Sequence, residues 1–350
     1  MDIEQMLIMA VERGASDLHL TVGFPPALRL DGKLVPTTLP VIKPVDTEKI
    51  AQKIIPPGLV GIFKEFGECD FSYSLHGLGR FRVNVFRQRG MAALAMRVIQ
   101  SQIPELDELC LPPTVETFTR KNEGLVLVTG PTGSGKSTTL AALINLINER
   151  THAHILTLED PIEYLHKHKK SIINQREIGQ DSSSFSRALR VCLRQDPDVI
   201  LVGEMRDLET IETAITAAET GHLVFATLHT VDAPKTIDRI IDVFPPRQQQ
   251  QVRVQLAGIL EGIIAQRLIP RKEKGRIAAV EILTVTPAVR NLIREGKIYQ
   301  IYSVMQTGTK YGMQTLDSHL KYLYSRGIIT REDALSNAVD FDNLKRLMEN

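Results

Sequence analysis

A glycine-rich run near the middle of the chain constrains the fold more than any other feature of the sequence. It is a complete phosphate-loop pattern that reads Gly130, Pro131, Thr132, Gly133, Ser134, Gly135, Lys136, Ser137 and Thr138. The apolar residues 125–129 before it predict a buried strand, and the apolar spacing within 140–147 after it predicts a helix. In such a strand–loop–helix unit, the glycines let backbone N–H groups turn toward a phosphate at the N-terminus of the helix. We therefore expect this run to bind a nucleotide.

Two side chains of the loop extend this prediction to ATP and Mg²⁺. Lys136 would reach the outer phosphates, and the hydroxyl of Ser137 can ligate Mg²⁺. The alternative is a chance glycine-rich turn. The Lys-Ser pair and the predicted strand and helix on either side argue against that alternative, because the pattern is specific only in this context.

The composition indicates a multi-domain enzyme of the cytoplasm. The chain has 350 residues, of which 24% are charged and 43% hydrophobic, and this length suits two or three domains. A net charge of +1 gives no general attraction to nucleic acid or to an anionic membrane. Cys69, Cys110 and Cys192 are far apart in sequence, which argues against a disulfide framework and a structural zinc site. We expect no signal peptide and no direct membrane insertion, so any membrane association would require a partner protein.

The character of the sequence changes at a proline-containing stretch, residues 103–113, which indicates a linker. Before it, a helical pattern at 3–13 and strand patterns such as 80–85 predict a small α+β domain, with a hairpin turn at Asp31 and Gly32. After it comes the nucleotide-binding core. The final third of the chain is predicted to be helical, with an apolar stripe formed by Val252, Leu256, Ile259, Leu260, Ile263 and Ile264. The predicted divisions are a domain over 1–100, a linker over 101–118, a core over 119–270 and a helical region over 271–350.

Three further apolar runs of the core each end in polar residues. The run 154–158 leads to Glu159, Asp160 and Glu163; the run 199–202 leads to Glu204; and the run 223–228 leads to His229. Near-continuous apolar runs are typical of strands buried on both faces, as in a parallel sheet. Ligands bind at the carboxyl ends of such strands, so we expect these groups to converge on the nucleotide.

Chemical need then suggests roles for the acidic groups. Phosphoryl transfer to water requires charge neutralisation, Mg²⁺ and a group that orients the attacking water. We assign Glu204 to the Mg²⁺ site and Glu163 to the base, with Glu159 and Asp160 supporting the metal. The alternative reading is that these acids are loop caps and solvated charges. Spacing alone does not decide which glutamate is the base.

Histidines and arginines supply the remaining candidates. His222 and His229 bracket one predicted strand and are interpreted as nucleotide or subunit sensors, with ordinary structural histidines as the alternative. In the N-terminal domain, Arg80 and Arg82 alternate with apolar residues and share one face of a strand, and Arg97 adds to the local arginine content. These arginines are candidate arginine fingers for bound ATP, and a solvated strand face is the alternative.

Taken together, these motifs resemble the secretion ATPase superfamily, which powers type II secretion and type IV pili. The resemblance rests on the phosphate loop, an "Asp box" at 156–163, the Gly203-Glu204 strand end and a "His box" at 220–230. Residues 288–295 are similar to the AIRNLIR signature of the pilus retraction branch, with Val289 in place of Ile. On a helix through this segment, Arg290 and Arg294 would share an outward face.

The resemblance implies a homohexameric ring with a PAS-like N-terminal domain, a RecA-like P-loop ATPase core of the α/β class and a helical C-terminal region. It further implies a motor that retracts type IV pili by ATP hydrolysis and acts on a platform protein of the inner membrane, with an accessory retraction ATPase as a second partner. The sequence has no tetracysteine zinc motif and no long N-terminal extension, which argues against the extension and secretion branches. Alternatives are an accessory pilus or secretion ATPase and a nucleotide-gated ring with little turnover.

Overall fold

A computed structural model describes residues 2–30, 32–99 and 102–349. They form two compact units. The first comprises Met1–Gln102 with Glu163–Leu165, and the second comprises Ile103–Ile162 with His166–Asn350. Within the described residues, no helix is both long and apolar enough to cross a membrane.

The first unit is an antiparallel sheet with helices. Its strands follow the order β3-β2-β1-β6-β5-β4. The predicted alternation on β5 is confirmed, because Phe81, Val83 and Val85 are fully buried. Of the predicted hairpin turn between β2 and β3, Asp31 lies outside the described residues. The elements of this unit are α1 (Ile3–Glu12), β1 (Asp17–Leu20), β2 (Ala27–Leu30), β3 (Lys33–Pro36), α2 (Pro44–Ile54), α3 (Val60–Phe66), β4 (Glu68–Leu75), β5 (Gly79–Gln88) and β6 (Met91–Ile99).

The second unit is a largely parallel sheet of order β13-β12-β7-β11-β10-β8-β9, in which only β13 pairs antiparallel. The residues of β7, β10 and β11 are buried along their whole length, as the near-continuous apolar runs predict. The strands are β7 (Gly124–Thr129), β8 (His154–Glu159), β9 (Ile172–Glu177), β10 (Val199–Val202), β11 (Leu223–Leu228), β12 (Leu260–Pro270) and β13 (Arg276–Thr284).

Helices cover the faces of this sheet and form most of the C-terminal region. Apolar side chains of α5 pack with those of β7 and β12 in one core cluster, which includes Leu140, Val126 and Ile264. The helices are α4 (Thr114–Thr117), α5 (Lys136–Arg150), α6 (Phe185–Cys192), α7 (Leu208–Glu219), α8 (Ala233–Asp242), α9 (Pro246–Ile259), α10 (Pro287–Arg294), α11 (Ile301–Thr307), α12 (Leu316–Ser325), α13 (Arg331–Ser336) and α14 (Phe341–Glu349).

The structure corrects one part of the predicted C-terminal helix pattern. The apolar stripe over 252–264 is helical only as far as Ile259, and Leu260 begins β12. An apolar run such as 263–265 suits both a helix and a buried strand, so periodicity alone cannot separate them. Pairing with β7 on one side and β13 on the other decides for the strand. The boundary predicted at residue 270 thus falls between two strands that pair with each other.

Candidate nucleotide site

Neighbouring parallel strands bring the predicted groups of the core to one edge of the sheet. Thr129 of β7 lies opposite Leu228 of β11, and Val202 of β10 lies between Ala226 of β11 and Leu158 of β8. The phosphate loop, Glu204, Glu159 and His229 directly follow or end these strands. The predicted convergence at the carboxyl ends is therefore present in the second unit.

The phosphate loop depends on two glycines for its shape. Gly130 has φ +142° and approaches β12 so closely that an added Cβ would lie 2.3 Å from the carbonyl oxygen of Gln266. Gly135 has φ +89° and is the N-cap of α5. A residue with a side chain would be strained at both positions. The Nζ of Lys136 donates to the carbonyls of Gly130 at 2.8 Å and Pro131 at 3.1 Å, which places the cation against the loop.

The start of α5 fits a phosphate group. Because its N-cap is a glycine, no side chain of the described residues caps this helix, so its first N–H groups face an anion without competition from a capping oxygen. Thr132, Gly133 and Ser137 are exposed at the loop, whereas Ser134 is buried beneath it. Burial lowers the pKa of Lys136, an effect that the charge of Glu204 partly offsets.

Glu204 has two cationic or protonatable neighbours. Its carboxylate accepts from Arg206 at 2.7 Å and lies 3.2 Å from the Nε2 of His229. Burial raises the pKa of Glu204, but the hydrogen bond from Arg206 and the charges of His229 and Arg206 outweigh it, so the pKa lies below its usual value. Glu204 is therefore an anion at neutral pH, within electrostatic range of Lys136.

The two acids after β8 differ in their surroundings. Glu159 accepts from the hydroxyl of Thr157 at 2.6 Å and from the amide of Gln175 at 3.1 Å. Asp160 is exposed, and its charge contributes to the raised pKa of Arg206 after that of Glu204. Both carboxylates thus lie beside the segment that carries Glu204.

The oxygen-bearing side chains at the strand ends suit a Mg²⁺ ion that is bound jointly by the protein and the phosphates of a nucleotide. Among the described residues, no three His, Cys, Asp or Glu side chains form a metal cluster. Mg²⁺ bound with phosphates needs only one or two protein oxygens and retains water. Ser137, Glu204, Glu159 and Asp160 supply oxygens of this kind at the strand ends.

The two histidines of the His box have different positions. His229 follows β11 and contacts Glu204, at the same edge as the phosphate loop. His222 precedes β11, and its Nδ1 lies 2.9 Å from the carbonyl of Ala217 and 3.2 Å from the hydroxyl of Thr220. The structure does not bring His222 to the loop, because the whole length of the strand separates the two histidines, about 20 Å at 3.3 Å per residue.

The remaining predicted residues belong to the first unit. Glu163 is exposed in the segment Glu163–Leu165, which groups with the N-terminal sheet. Arg82 of β5 lies directly opposite Arg97 of β6, and Arg80 is on the same face of β5. The Nε of Arg97 donates to Asp17 at 2.9 Å. The arginines thus form one polar face, and their roles and that of Glu163 stay predictions.

The structure corrects the predicted orientation of one arginine in 288–295. Arg290 does not point outward: it donates to the carbonyl of Ala257 at 2.7 Å and also to that of Gly258, and its Nη2 donates to Oε1 of Glu261 at 2.6 Å. It therefore caps the C-terminus of α9, where a cation is favoured. Arg294 is exposed, as predicted.

Sequence reasoning missed Gln266 of β12, which is 1% exposed and contacts the phosphate loop. Its Nε2 donates to the carbonyl of Ser134 at 2.7 Å, and its Oε1 accepts from the hydroxyl of Thr139 at 3.1 Å. The only signal in the sequence is a polar residue just after the apolar stripe over 252–264, and that stripe by itself predicts a helix.

The parallel sheet, the loop and the acidic strand ends define a P-loop nucleotide-binding protein. Residues 76–333 match the model of the family described as Type II/IV secretion system protein, and the chain belongs to that family.

Relatives and a solved structure extend this likeness over the whole chain. The type IV pilus retraction ATPase PilT of Pseudomonas aeruginosa is 50% identical over 97% of this chain and 98% of its own length. The type IV pilus ATPase PilU of the same organism is 42% identical over 100% of this chain and 92% of its own length. The crystal structure of the pilus retraction motor PilT with bound ADP superimposes with a TM-score of 0.93 at 52% identity, covering 99% of both chains.

Proposed function

We propose that this protein is an ATPase that drives retraction of type IV pili. The observation that carries the proposal is the grouping of Lys136, Glu204 and His229 around a complete phosphate loop at one edge of a parallel sheet. Phosphoryl transfer to water needs a loop that binds the phosphates, a cation that neutralises their charge and an anionic carboxylate nearby.

The residues of the core have different roles in binding and hydrolysing ATP. The N–H groups at the start of α5 and the ammonium of Lys136 bind the phosphates, and Ser137 with Glu204, Glu159 and Asp160 would hold Mg²⁺. Mg²⁺ supplies charge neutralisation on the phosphates when it is bound. Arg206 and His229 keep the Glu204 carboxylate ionised and oriented. Glu163 orients the attacking water, and Arg80, Arg82 and Arg97 are the candidates for stabilising the charge of the transferred phosphate.

The likeness to PilT supports pilus retraction as the work that hydrolysis performs. Identity of 50% extends over nearly the whole of both chains, so it includes the N-terminal unit and the C-terminal helices as well as the loop. The 42% identity to PilU makes another type IV pilus ATPase the second candidate. The protein would act as a homohexamer in the cytoplasm, held at the inner membrane by a pilus platform protein and working beside an accessory retraction ATPase.

Steady-state phosphate release by the purified full-length protein tests the enzymatic part. We expect turnover that requires both ATP and Mg²⁺ and that Lys136→Ala abolishes. Arg239→Ala, an exposed position on α8, is the matched control and should turn over like the wild type. Binding of ATP without sustained phosphate release would instead support a nucleotide-gated ring.

A further inference from the structure

We infer that Gln266 is a positioning residue that orients the phosphate loop for nucleotide binding. It lies on β12, more than a hundred residues after the loop in sequence, and its side chain is almost fully buried beneath the loop. A buried amide is costly unless its polar atoms are hydrogen-bonded. The Gln266 side chain makes hydrogen bonds to Ser134 of the loop and to Thr139 of α5, and these bonds offset the cost of burying its amide.

The donated hydrogen bond fixes one peptide group of the loop. The acceptor is a carbonyl, that of Ser134, so the side-chain nitrogen of Gln266 must face it. In a planar trans peptide, the carbonyl and the following N–H point in opposite directions. Holding the Ser134 carbonyl toward β12 therefore turns the N–H of Gly135 to the other side, into the concave face of the loop where phosphate binds.

The accepted hydrogen bond ties the same side chain to α5. Thr139 donates its hydroxyl to Gln266, and its N–H donates to the carbonyl of Gly135 at 3.0 Å. One buried amide thus connects the loop and the first turn of the helix. The close approach that makes this possible is the one that Gly130 permits, with no room for a Cβ against the Gln266 carbonyl.

The inference rests on the proposed nucleotide chemistry, and its test uses ADP binding so that turnover is not needed. Isothermal calorimetry with ADP would compare the wild type, Gln266→Leu and the matched control Thr139→Val in the full-length protein. We expect Gln266→Leu to weaken ADP binding about tenfold, because the Gly135 N–H is no longer held toward the phosphate, and to lower the unfolding temperature of the apo protein, because the Ser134 carbonyl loses its buried partner. Thr139→Val leaves the Ser134 contact intact and should weaken binding less than threefold.

A second variant gives a readout that a purely structural role would not produce. A glutamate at 266 keeps the size of the side chain, and it can donate to the Ser134 carbonyl only when it is protonated. In Gln266→Glu we therefore expect the loss of ADP affinity relative to wild type to shrink as the pH falls from 8 to 5. This variant also carries the test if Gln266→Leu does not fold.

Several results would overturn the assignment. They are ADP affinity in Gln266→Leu within twofold of wild type, equal losses in Gln266→Leu and Thr139→Val, or a Gln266→Glu deficit that does not change with pH. A wild-type protein that binds ADP but does not hydrolyse ATP would defeat the proposed function while leaving the inference about Gln266 testable by the same binding measurements.

Discussion

The second unit surrounds its partly buried chemical groups with partners, whereas the first unit carries the exposed arginines Arg82 and Arg97 on one face of its sheet. Glu204 contacts Arg206 and His229, and Lys136 contacts two loop carbonyls. On the N-terminal sheet, Arg82 is exposed and lies directly opposite Arg97. Like charges in this arrangement are destabilising, and Asp17 offsets part of the repulsion through its contact with Arg97.

The two units differ in how far their charged groups are positioned in the absence of a ligand. In the core, hydrogen bonds and neighbouring charges orient Lys136, Glu159 and Glu204 before any ligand arrives, which lowers the cost of reorganisation during reaction. On the N-terminal sheet, a concentration of positive charge is maintained at some expense of stability, which suits a surface that meets an anion.

The largest effect should follow from Glu204→Gln, which removes a charge from the prearranged core. We expect phosphate release at saturating ATP to fall by about 10²–10³-fold, the size seen when one electrostatic group of an active site is removed. ATP affinity should stay within threefold of wild type, because Lys136 and the loop are unchanged. Glu209→Gln, an exposed acid on α7, is the control and should behave as wild type. Near-normal turnover in Glu204→Gln would remove this residue from the mechanism.

Arg82→Ala tests the open face. If the arginine stabilises the transferred phosphate, kcat should fall by about 30–100-fold with little change in KM, since the contact is made mainly in the transition state. Arg82→Lys should recover only part of the rate, because an ammonium lacks the planar fork of a guanidinium. Arg13→Ala, an exposed arginine of the same unit, serves as the control. Unchanged kcat in Arg82→Ala would show that this position is solvated surface.

Arg290 and Arg294 of α10 show the same contrast between a hydrogen-bonded and an exposed arginine on a single helix. Arg290→Ala removes the cap of α9 and one of the two cations beside Glu261, the other being Lys121 at 2.6 Å. We expect the free energy of unfolding in urea to fall by about 2 kcal/mol, as for charge-assisted hydrogen bonds. Arg294→Ala should leave stability within about 0.5 kcal/mol, as for an ordinary surface substitution. Equal losses in the two variants would contradict the inward position of Arg290.

The retraction signature can then be tested without loss of folding. Arg294→Ala should keep ATP hydrolysis near wild type yet fail to restore twitching motility to cells that lack their own retraction motor. Arg326→Ala, an exposed arginine after α12, is the control and should restore motility. Normal twitching with Arg294→Ala would show that Arg294 lies on an ordinary solvated surface of α10.

The smallest effect concerns Glu281 of β13, which is 2% exposed and accepts the N–H of Ala233 at 2.8 Å. Burial raises the pKa of Glu281 to about 7. Because the folded protein keeps this proton above the pH at which the unfolded chain loses it, stability falls as the pH rises from about 4.5 to about 7. Glu281→Gln removes this contribution, so the stability difference from wild type should change by about 1–2 kcal/mol between pH 5 and about pH 6.5. A difference that is constant with pH would contradict the assignment.

Much of the core was predictable because its elements depend on local pattern. The phosphate loop fixes a strand and a helix around itself, and the apolar runs that become β8, β10 and β11 end in the polar groups that meet there. The alternation on β5 likewise predicted its buried and polar faces.

What could not be predicted depends on contacts between distant parts of the chain. Gln266 matters because β12 pairs beside β7, and no short motif encodes that pairing. The inward turn of Arg290 depends on the end of α9 and on Glu261, which a helical wheel of 288–295 cannot include. His222 and His229 look equivalent in sequence, and only the direction of β11 separates them.

Twitching motility shows whether ATP hydrolysis at the Glu204 site drives pilus retraction. Cells that carry type IV pili but lack a retraction motor would express the wild type or Glu204→Gln at matched levels. We expect the wild type to restore the twitching zone and Glu204→Gln to leave cells piliated and non-motile. Equal twitching zones in the two strains would contradict this expectation.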